Sequence, residues 1–280
     1  MVVCEDADLN QVIPMAMRGS FQNCGQNCCG VERLFVYESI YEQFIDIVKA
    51  KIKVLRQGNP STGTDANVDC GAMVMDGQID IIQDLIDDAI ANGATLHCGG
   101  QKIVNRNGQF YPPTLLTDVT PTMRIAQEEV FGPVMCIAKV PNDDDSVAIK
   151  LINDCSFGLG SSAFSSNSNR ALAIGEQIKS GMFTANDFGV NYLIQSLPFG
   201  GINESGFDRF AGPEGLRGCC IERSIVVDRF WGVKTTIPKP LDYPINVKKG
   251  IPFVVSLITF FYSESFVGKV KAIFGLIKNG

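Results

Sequence analysis

The chain has 280 residues, of which 45% are apolar and 19% charged, and its formal net charge is −6. This length suggests about two domains, and the composition supports a sizeable core and excludes a disordered protein. The acidic balance argues against nucleic-acid binding, because no excess of Lys and Arg is available to neutralise phosphates.

Apolar spacing predicts helices and strands in alternation along most of the chain. The first eight residues have neither the basic region nor the apolar stretch of a signal peptide. A helix is predicted over about 39–57, with a capping box formed by Ser39 and Glu42. Further helices are predicted over about 77–91, 144–153 and 168–179, and extended segments over 34–37, 95–98, 134–140, 161–165 and 182–186. This alternation predicts an α/β fold with a mainly parallel open sheet and flanking helices.

The last forty residues differ from the rest in charge and hydropathy. Residues 241–280 contain five Lys, Asp242 and Glu264, so their net charge is +3. Because the whole chain has a net charge of −6, residues 1–240 have a net charge of −9. The uncharged run Gly250 to Ser263 is shorter than the roughly 20 residues that a spanning helix needs. Four apolar residues beyond it share one helical face: Phe266, Val270, Ile273 and Ile277. The pattern predicts either a membrane surface contacted through 250–280 or a helical hairpin packed on its own domain or on a subunit partner.

Histidine and cysteine usage narrows the chemistry. The single histidine, His97, excludes a His-rich metal site and reads as an ordinary strand residue. The ten cysteines lack paired C-x-x-C spacing, so we expect no metal site and a reducing compartment in which most thiols are buried. Cys24, Cys28 and Cys29 fall within six positions, with Gly25 and Gly30 close by. On spacing alone they form either a reactive thiol beside a ligand or three buried thiols in a turn.

Four sequence blocks together resemble one family. The spacing Phe21-x-x-x-Gly25-Gln26-x-Cys28 resembles the cysteine active-site signature of the aldehyde dehydrogenase superfamily. Three more blocks follow in the order of that superfamily: 128–134, 153–159, and 186 with 198–206. The resemblance covers about residues 1–230, and with the tail it is nearest to the plant aldehyde dehydrogenase family 22 and its fungal relatives.

The resemblance implies an aldehyde-dehydrogenase-like catalytic domain that uses NAD or NADP. Cys28 would be the nucleophile that forms a thiohemiacetal and then a thioester, with its backbone N–H donating to the oxyanion. Glu129 would bind the hydroxyls of the nicotinamide ribose, and Phe131 would pack beside the nicotinamide. Phe199 would form a wall of the substrate tunnel. Without the resemblance, Glu129 reads as a capping residue and both phenylalanines as core.

The resemblance also implies which parts the 280 residues lack. The general base, the oxyanion-hole Asn and most of the cofactor-binding domain lie upstream of this region in the family, so we expect the isolated chain to be inactive or nearly so. We predict a catalytic domain over 1–206, a return segment with an oligomerisation strand over 207–232, and an apolar tail over 233–280. The strand, at 219–229, would join a neighbouring subunit, which implies a homo-oligomeric parent.

Two other functions fit the same residues. In the first, the chain is a non-catalytic, membrane-associated interaction subunit in which Cys28 is buried. In the second, the Cys28 thioester passes its acyl group to coenzyme A or phosphate instead of water. Either way we expect an intracellular protein, and the sequence does not select the aldehyde.

Overall fold

The computed structural model describes residues 1–59, 67–103, 108–232 and 234–280, in two compact units, Met1–Ile221 and Glu222–Gly280. The strands of the first unit are β1 Val2–Val3, β2 Arg33–Tyr37, β3 Thr95–Cys98, β4 Thr114–Thr117, β5 Val134–Val140, β6 Phe157–Gly158, β7 Gly160–Phe164, β8 Met182–Ala185 and β9 Ile202–Asn203. Its α-helices are α1 Leu9–Phe21, α2 Tyr41–Ile52, α3 Gln78–Ala91, α4 Arg124–Gln127, α5 Asp145–Asn153, α6 Ser168–Gly175, α7 Val190–Leu193 and α8 Gly212–Gly218. Short 3₁₀ turns cover Gln22–Gly25, Glu38–Ile40 and Pro141–Asp143.

The main sheet is parallel except at one edge. Its strand order is β3-β4-β5-β2-β1-β7-β8, and only the β3–β4 pair is antiparallel among these described strands. Strand β1 lies between two parallel neighbours, so Val2 is level with Phe35 on one side and Ala163 on the other. Strands β6 and β9 form a separate antiparallel pair. The α/β fold with a mainly parallel sheet is therefore confirmed.

Helices cover both faces of the sheet. Side chains alternate along a strand, and Leu34 and Val36 of β2 pack on one face while Phe35 and Tyr37 pack on the other. The first face is covered by apolar residues of α1, α2 and α3, and the second by residues of α5 and α6. Central strands buried on both faces are expected in a parallel sheet, which explains their continuous apolar sequences.

Most predicted elements are present, but the first predicted helix, over about 39–57, extends beyond the observed α-helix at both ends. The chain forms a 3₁₀ turn and then α2, which begins at Tyr41 and ends at Ile52. The capping box is wrong as well, because the residue before α2 is Ile40, which makes no side-chain capping bond. Instead the Ser39 backbone N–H donates to Asp143 Oδ1 at 3.1 Å. A partner 104 residues away has replaced the local cap.

The segment 219–229 forms no strand with the described residues of this chain, and it has no regular structure after α8 and the turn that ends it, so its pairing with a neighbouring subunit stays a prediction. A strand is defined by hydrogen bonds to a partner strand, and none of the described residues supplies one here. Its apolar side chains are exposed, Val226 by 94%. The division between the two units falls after Ile221, whereas the boundaries 206 and 232 stay predictions.

The second unit is a helical hairpin, α9 Val247–Tyr262 and α10 Phe266–Asn279, preceded by a 3₁₀ turn at Lys239–Leu241. The caps are Asn246, whose side chain accepts from the Lys248 N–H, and Ser265, whose hydroxyl accepts from the Gly268 N–H. No helix in the described residues is long and apolar enough to cross a membrane.

Candidate active site

A cavity of about 360 Å³ opens at the edge of the sheet where the parallel strands begin. Its walls come from the loop before β2, the loop before β5, and the starts of β7 and β8. This volume lies within the range of about 300–1,000 Å³ that is typical of small-molecule sites. Ligands of open α/β sheets usually bind at the carboxyl ends of the strands. This cavity differs, because it lies at the edge where the strands begin.

Cys28 lies in a tight turn between α1 and β2. The Gly30 N–H donates to the Asn27 carbonyl at 3.0 Å, which places Cys28 and Cys29 at the two central positions of the turn. Asn at the first position and Gly at the fourth are preferred in such turns. The Asn27 side chain anchors the turn, because its Nδ2 donates to the Gln22 carbonyl at 3.0 Å. Cys28 is exposed as a result and lines the cavity.

Close backbone packing fixes the loop before Cys28. Asn23, Cys24 and Gly25 all have positive φ, and Gly25 has φ +73°. A Cβ atom on Gly25 would lie 1.9 Å from the Gly132 carbonyl oxygen. Gly25 therefore admits the backbone of the loop before β5 rather than a ligand, and it holds the two loops that carry Cys28 and Glu129 against each other.

The neighbouring cysteines have different surroundings. Cys24 is buried, and its contact with the Cys70 thiol, together with burial, raises the pKa of Cys24. Cys29 is half-buried, and burial raises its pKa. Four of the ten cysteines are buried, so the expectation that most of them are buried is wrong. A raised pKa makes a thiol a poorer nucleophile, and Cys28 is the most exposed of the three thiols in this loop.

The other three predicted site residues are distributed unequally around the cavity. Glu129 is exposed and lines the cavity, and Phe199 is buried and also lines it. Phe131 is half-buried, has φ +45°, and is not among the lining residues. The structure thus brings Cys28, Glu129 and Phe199 together around one cavity, and it does not place Phe131 among the residues that line it.

An aromatic cluster holds Phe199 in place. The backbone N–H groups of Phe199 and Phe210 each donate to the carbonyl of the other, at 2.7 and 2.8 Å. Their ring centroids are 4.5 Å apart, and Tyr192 contacts Phe199 edge-on at 5.8 Å. Tyr192 and Phe188 line the cavity as well, although neither was a sequence candidate. The absence of any periodic pattern around them explains why the sequence does not single them out.

Two asparagines of the family blocks serve as structural anchors. The Asn153 side chain donates to the Gln177 carbonyl at 2.9 Å and accepts from the Lys179 N–H at 2.7 Å, which fixes the loop before β8. The Asn186 side chain accepts from the Ser165 N–H at 2.9 Å and joins the ends of β7 and β8. These bonds shape the cavity wall from outside the cavity.

A missed polar residue lies four positions after Cys28. The Glu32 carboxyl group is buried although the residue as a whole is half-buried. It lines the cavity and accepts from the Val130 N–H at 3.1 Å and the Phe131 N–H at 2.8 Å. Burial raises the pKa of Glu32, while the two N–H donors oppose that rise. No sequence pattern marks Glu32, because its partners are backbone N–H groups of a distant loop.

The donor set of the cavity fits a nucleotide cofactor better than a metal. A carboxylate such as that of Glu129 can accept from two neighbouring ribose hydroxyls. Among the described residues no group of three or more His, Cys, Asp or Glu could hold a metal ion. His97 lies in β3, with its Nε2 2.8 Å from the Thr117 hydroxyl, as expected for an ordinary strand histidine.

The fold and the cavity define a class: an α/β protein with an exposed cysteine turn, a carboxylate and an aromatic wall around one cavity. The model of the aldehyde dehydrogenase family matches residues 1–225. The chain belongs to the aldehyde dehydrogenase family. Its relatives in this family use NAD or NADP.

Individual relatives agree with this assignment. An aldehyde dehydrogenase-like protein of Saccharomyces cerevisiae is 41% identical over 277 residues, covering 97% of this chain and 42% of that protein. The NADP⁺-dependent succinate-semialdehyde dehydrogenase 1 of Mycobacterium tuberculosis is 35% identical over 78% of this chain and 46% of that protein. The crystal structure of betaine aldehyde dehydrogenase of Staphylococcus aureus with NAD⁺ superposes with TM-score 0.72 and 32% identity, covering 78% of this chain and 42% of that one. The chain spans about half the length of the curated relatives it matches.

Proposed function

We propose that these 280 residues are the catalytic half of an NAD(P)-dependent aldehyde dehydrogenase in which Cys28 is the nucleophile. The observation that carries the proposal is the cavity itself, which an exposed Cys28 shares with Glu129 and Phe199. The family model and the relatives support the class of reaction, oxidation of an aldehyde to a carboxylic acid. The subdivision into the plant family 22 stays a prediction.

The proposed chemistry begins at the Cys28 sulfur. The thiolate attacks the aldehyde carbon, a sulfur–carbon bond forms, and the carbonyl oxygen becomes an oxyanion that the Cys28 backbone N–H stabilises. Bound NAD(P)⁺ supplies the hydride acceptor. Cys28 then holds the acyl group as a thioester until water releases the acid and restores the thiolate. The turn position of Cys28 suits this role, because it exposes the sulfur while the backbone stays anchored.

Glu129 and Phe199 would position the two reactants. Glu129 would accept from the ribose hydroxyls of the cofactor, and the buried Phe199 ring would form one wall of the aldehyde site. Phe131 would contribute through the backbone of the loop before β5, because it does not line the cavity. The aromatic neighbours Phe188 and Tyr192 favour an apolar part of the aldehyde on this side.

We expect the 280 residues on their own to turn over slowly or not at all. The family resemblance puts the general base upstream of this region, and loss of such a base typically slows a step by about 10²–10⁴-fold. Most of the cofactor-binding domain would have to come from sequence outside this region, so hydride transfer also loses the benefit of positioning.

Thiol labelling and turnover test the proposal. The chain is treated with limiting iodoacetamide and the alkylated residues are identified by mass spectrometry, with Cys28→Ser and Cys155→Ser as matched variants. We expect Cys28 to be labelled faster than the half-buried Cys155. Equal labelling would favour the non-catalytic interaction subunit. The same samples are incubated with NAD⁺ or NADP⁺ and an aldehyde panel, and sustained turnover that Cys28→Ser abolishes would contradict the expected inactivity.

The acyl acceptor is tested separately, because a thioester can also be released to coenzyme A or phosphate. Acylated Cys28 is prepared with an activated ester and incubated with each acceptor. Release that requires coenzyme A or phosphate would replace the dehydrogenase proposal by acyl transfer. Release to water alone supports the acid as product.

A second proposal concerns the helical hairpin, which would bind an anionic membrane surface through 250–280. Large apolar side chains are exposed on both helices, among them Ile251, Val255, Phe261, Phe266 and Phe274. The unit's lysines outnumber its acidic residues, so electrostatic attraction would add to apolar insertion. Flotation of the whole chain with vesicles of phosphatidylserine and phosphatidylcholine tests this. Absence of co-flotation would contradict it and favour a protein partner.

The segment 219–229 would pair with a second copy of the chain in a homo-oligomer. Its exposed apolar residues, such as Ile225 and Val226, are consistent with a strand that lacks its partner. Mass photometry of the chain and of an Ile225→Lys variant tests this proposal. A chain that is monomeric at micromolar concentration would contradict it.

A further inference from the structure

Glu32 connects the two loops that carry the proposed nucleophile and the proposed ribose-binding carboxylate. It lies four residues after Cys28, and its two carboxylate oxygens accept from the backbone N–H groups of Val130 and Phe131, the residues that directly follow Glu129. Each oxygen takes one N–H, so the carboxylate spans two successive peptide groups. Hydrogen bonds from amides to a charged acceptor are stronger than neutral ones, which makes this contact a firm link.

The other contacts of the loop show what the link controls. The Val130 carbonyl accepts from Gln78 Nε2 at 2.8 Å, so this residue is held from both sides. Phe131 has φ +45°, a conformation that an L residue adopts only when its surroundings impose it. One residue further on, Gly132 packs against Gly25. Residues 130–132 are therefore fixed, and the Glu129 side chain leaves the backbone at the edge of this fixed segment.

We propose that Glu32 is a positioning residue for the cofactor: its carboxylate clamps the backbone of residues 130–131 so that Glu129 points into the cavity toward the ribose. The proposal rests on the proposed function for the identity of the ligand, an NAD-type dinucleotide. It does not make Glu32 a catalytic residue, because Glu32 acts through the backbone of the loop. A Gln at this position keeps the shape but offers one acceptor oxygen and an NH₂ group that faces the second N–H.

Burying the ionised carboxylate of Glu32 costs free energy. An uncharged side chain at the same position would avoid that cost. Burial and the neighbouring Glu129 carboxylate disfavour its ionised form, and Arg33 and the two backbone N–H groups favour it. Because the burial effect prevails, an amide at this position removes a buried charge, which offsets part of the cost of the lost hydrogen bond. Glu at position 32 thus holds the loop better than Gln does, whereas Gln avoids the cost of a buried charge. This difference between loop position and stability makes the role testable.

The first measurement is residue-resolved amide hydrogen exchange on the whole chain, for the wild type and Glu32→Gln. We expect the Val130 and Phe131 amides to exchange at least about tenfold faster in the variant, as the loss of one charge-assisted hydrogen bond predicts, with the β5 amides unchanged. The matched control is Glu38→Gln, in which another carboxylate loses a backbone N–H, that of Asn142 at 2.9 Å, far along the sequence. Unchanged exchange at 130–131, or equal acceleration throughout β5, would overturn the proposal.

The second measurement is NADH affinity, followed by the fluorescence of bound NADH. We expect Glu32→Gln to weaken NADH binding at least fivefold while its melting temperature falls no more than that of Glu38→Gln, which should leave the affinity unchanged. Weakened binding together with a larger fall in melting temperature would indicate a structural role and overturn the proposal. If the wild-type chain binds no NADH because most of the cofactor-binding domain lies outside it, the exchange rates at 130–131 alone decide the clamp. Failure of the proposed function is read separately, from the Cys28 labelling.

Discussion

Replacement of Gly25 by Ala tests how tightly the nucleophile loop packs against the loop before β5. A non-glycine residue in the left-handed region costs about 1–2 kcal/mol. The added methyl group would also lie 1.9 Å from the Gly132 carbonyl oxygen, a backbone atom that cannot rotate away. Forced shifts of this kind typically cost about 1–3 kcal/mol, so we expect a total loss of about 2–5 kcal/mol.

Thermal unfolding followed by circular dichroism measures this loss. At about 2–4 °C per kcal/mol for a domain of this size, the melting temperature should fall by roughly 4–20 °C. The matched control is Gly71→Ala, because the added Cβ meets no atom within 4 Å and its φ is not in the left-handed region. Labelling of Cys28 by iodoacetamide should also change in Gly25→Ala only. If both variants melt with the wild type, the close approach of Gly25 to Gly132 is refuted.

Three further predictions concern the core, a cap and pH. Leu85→Ala, at a fully buried position of α3, should lower the free energy of unfolding by about 2–5 kcal/mol in urea titrations, whereas Ile81→Ala on the exposed side should change it far less. Asn167→Ala should cost about 1 kcal/mol, because its side chain caps α6 through the Asn169 and Arg170 N–H groups; Asn169→Ala, which keeps the cap, should melt close to the wild type. Because burial raises the pKa of Glu32, the folded state keeps that proton to higher pH than the unfolded state, and stability is lost as pH rises through the folded pKa. The melting temperature of the wild type relative to Glu32→Gln should therefore fall as pH rises above 4.5, the ordinary pKa of a glutamate, and a constant difference would contradict the raised pKa.

Sequence patterns predicted the parts of the fold that depend on local or periodic burial. Helix α3 matches its predicted span closely, because its apolar residues repeat at helical spacing and a glycine follows its end. Strand β5 matches as well, because a strand buried on both faces is continuously apolar. The start of α2 was mispredicted since Ser39 finds its partner in a loop 104 residues away.

The candidate site was predictable only in part, and for a comparable reason. Family motifs led to Cys28, Glu129 and Phe199, which the structure places around one cavity. They did not lead to Glu32, whose partners are backbone amides about 98 residues further along the chain. Side chains that bond to backbone atoms leave no complementary residue type in the sequence, so no pattern marks them.

The central position of β1 imposes an order of events on the newly made chain. Val2 must pair with Phe35 and with Ala163, so β1 is completed by a partner that is made much later. At roughly 5–20 residues per second, synthesis takes about 8–32 seconds to pass from Val2 to Ala163. During that interval one edge of β1 is unprotected, and long-range pairings of this kind form slowly in any case. The protein thus exposes an unpaired strand edge during its synthesis. Protection by a chaperone would matter most at that stage.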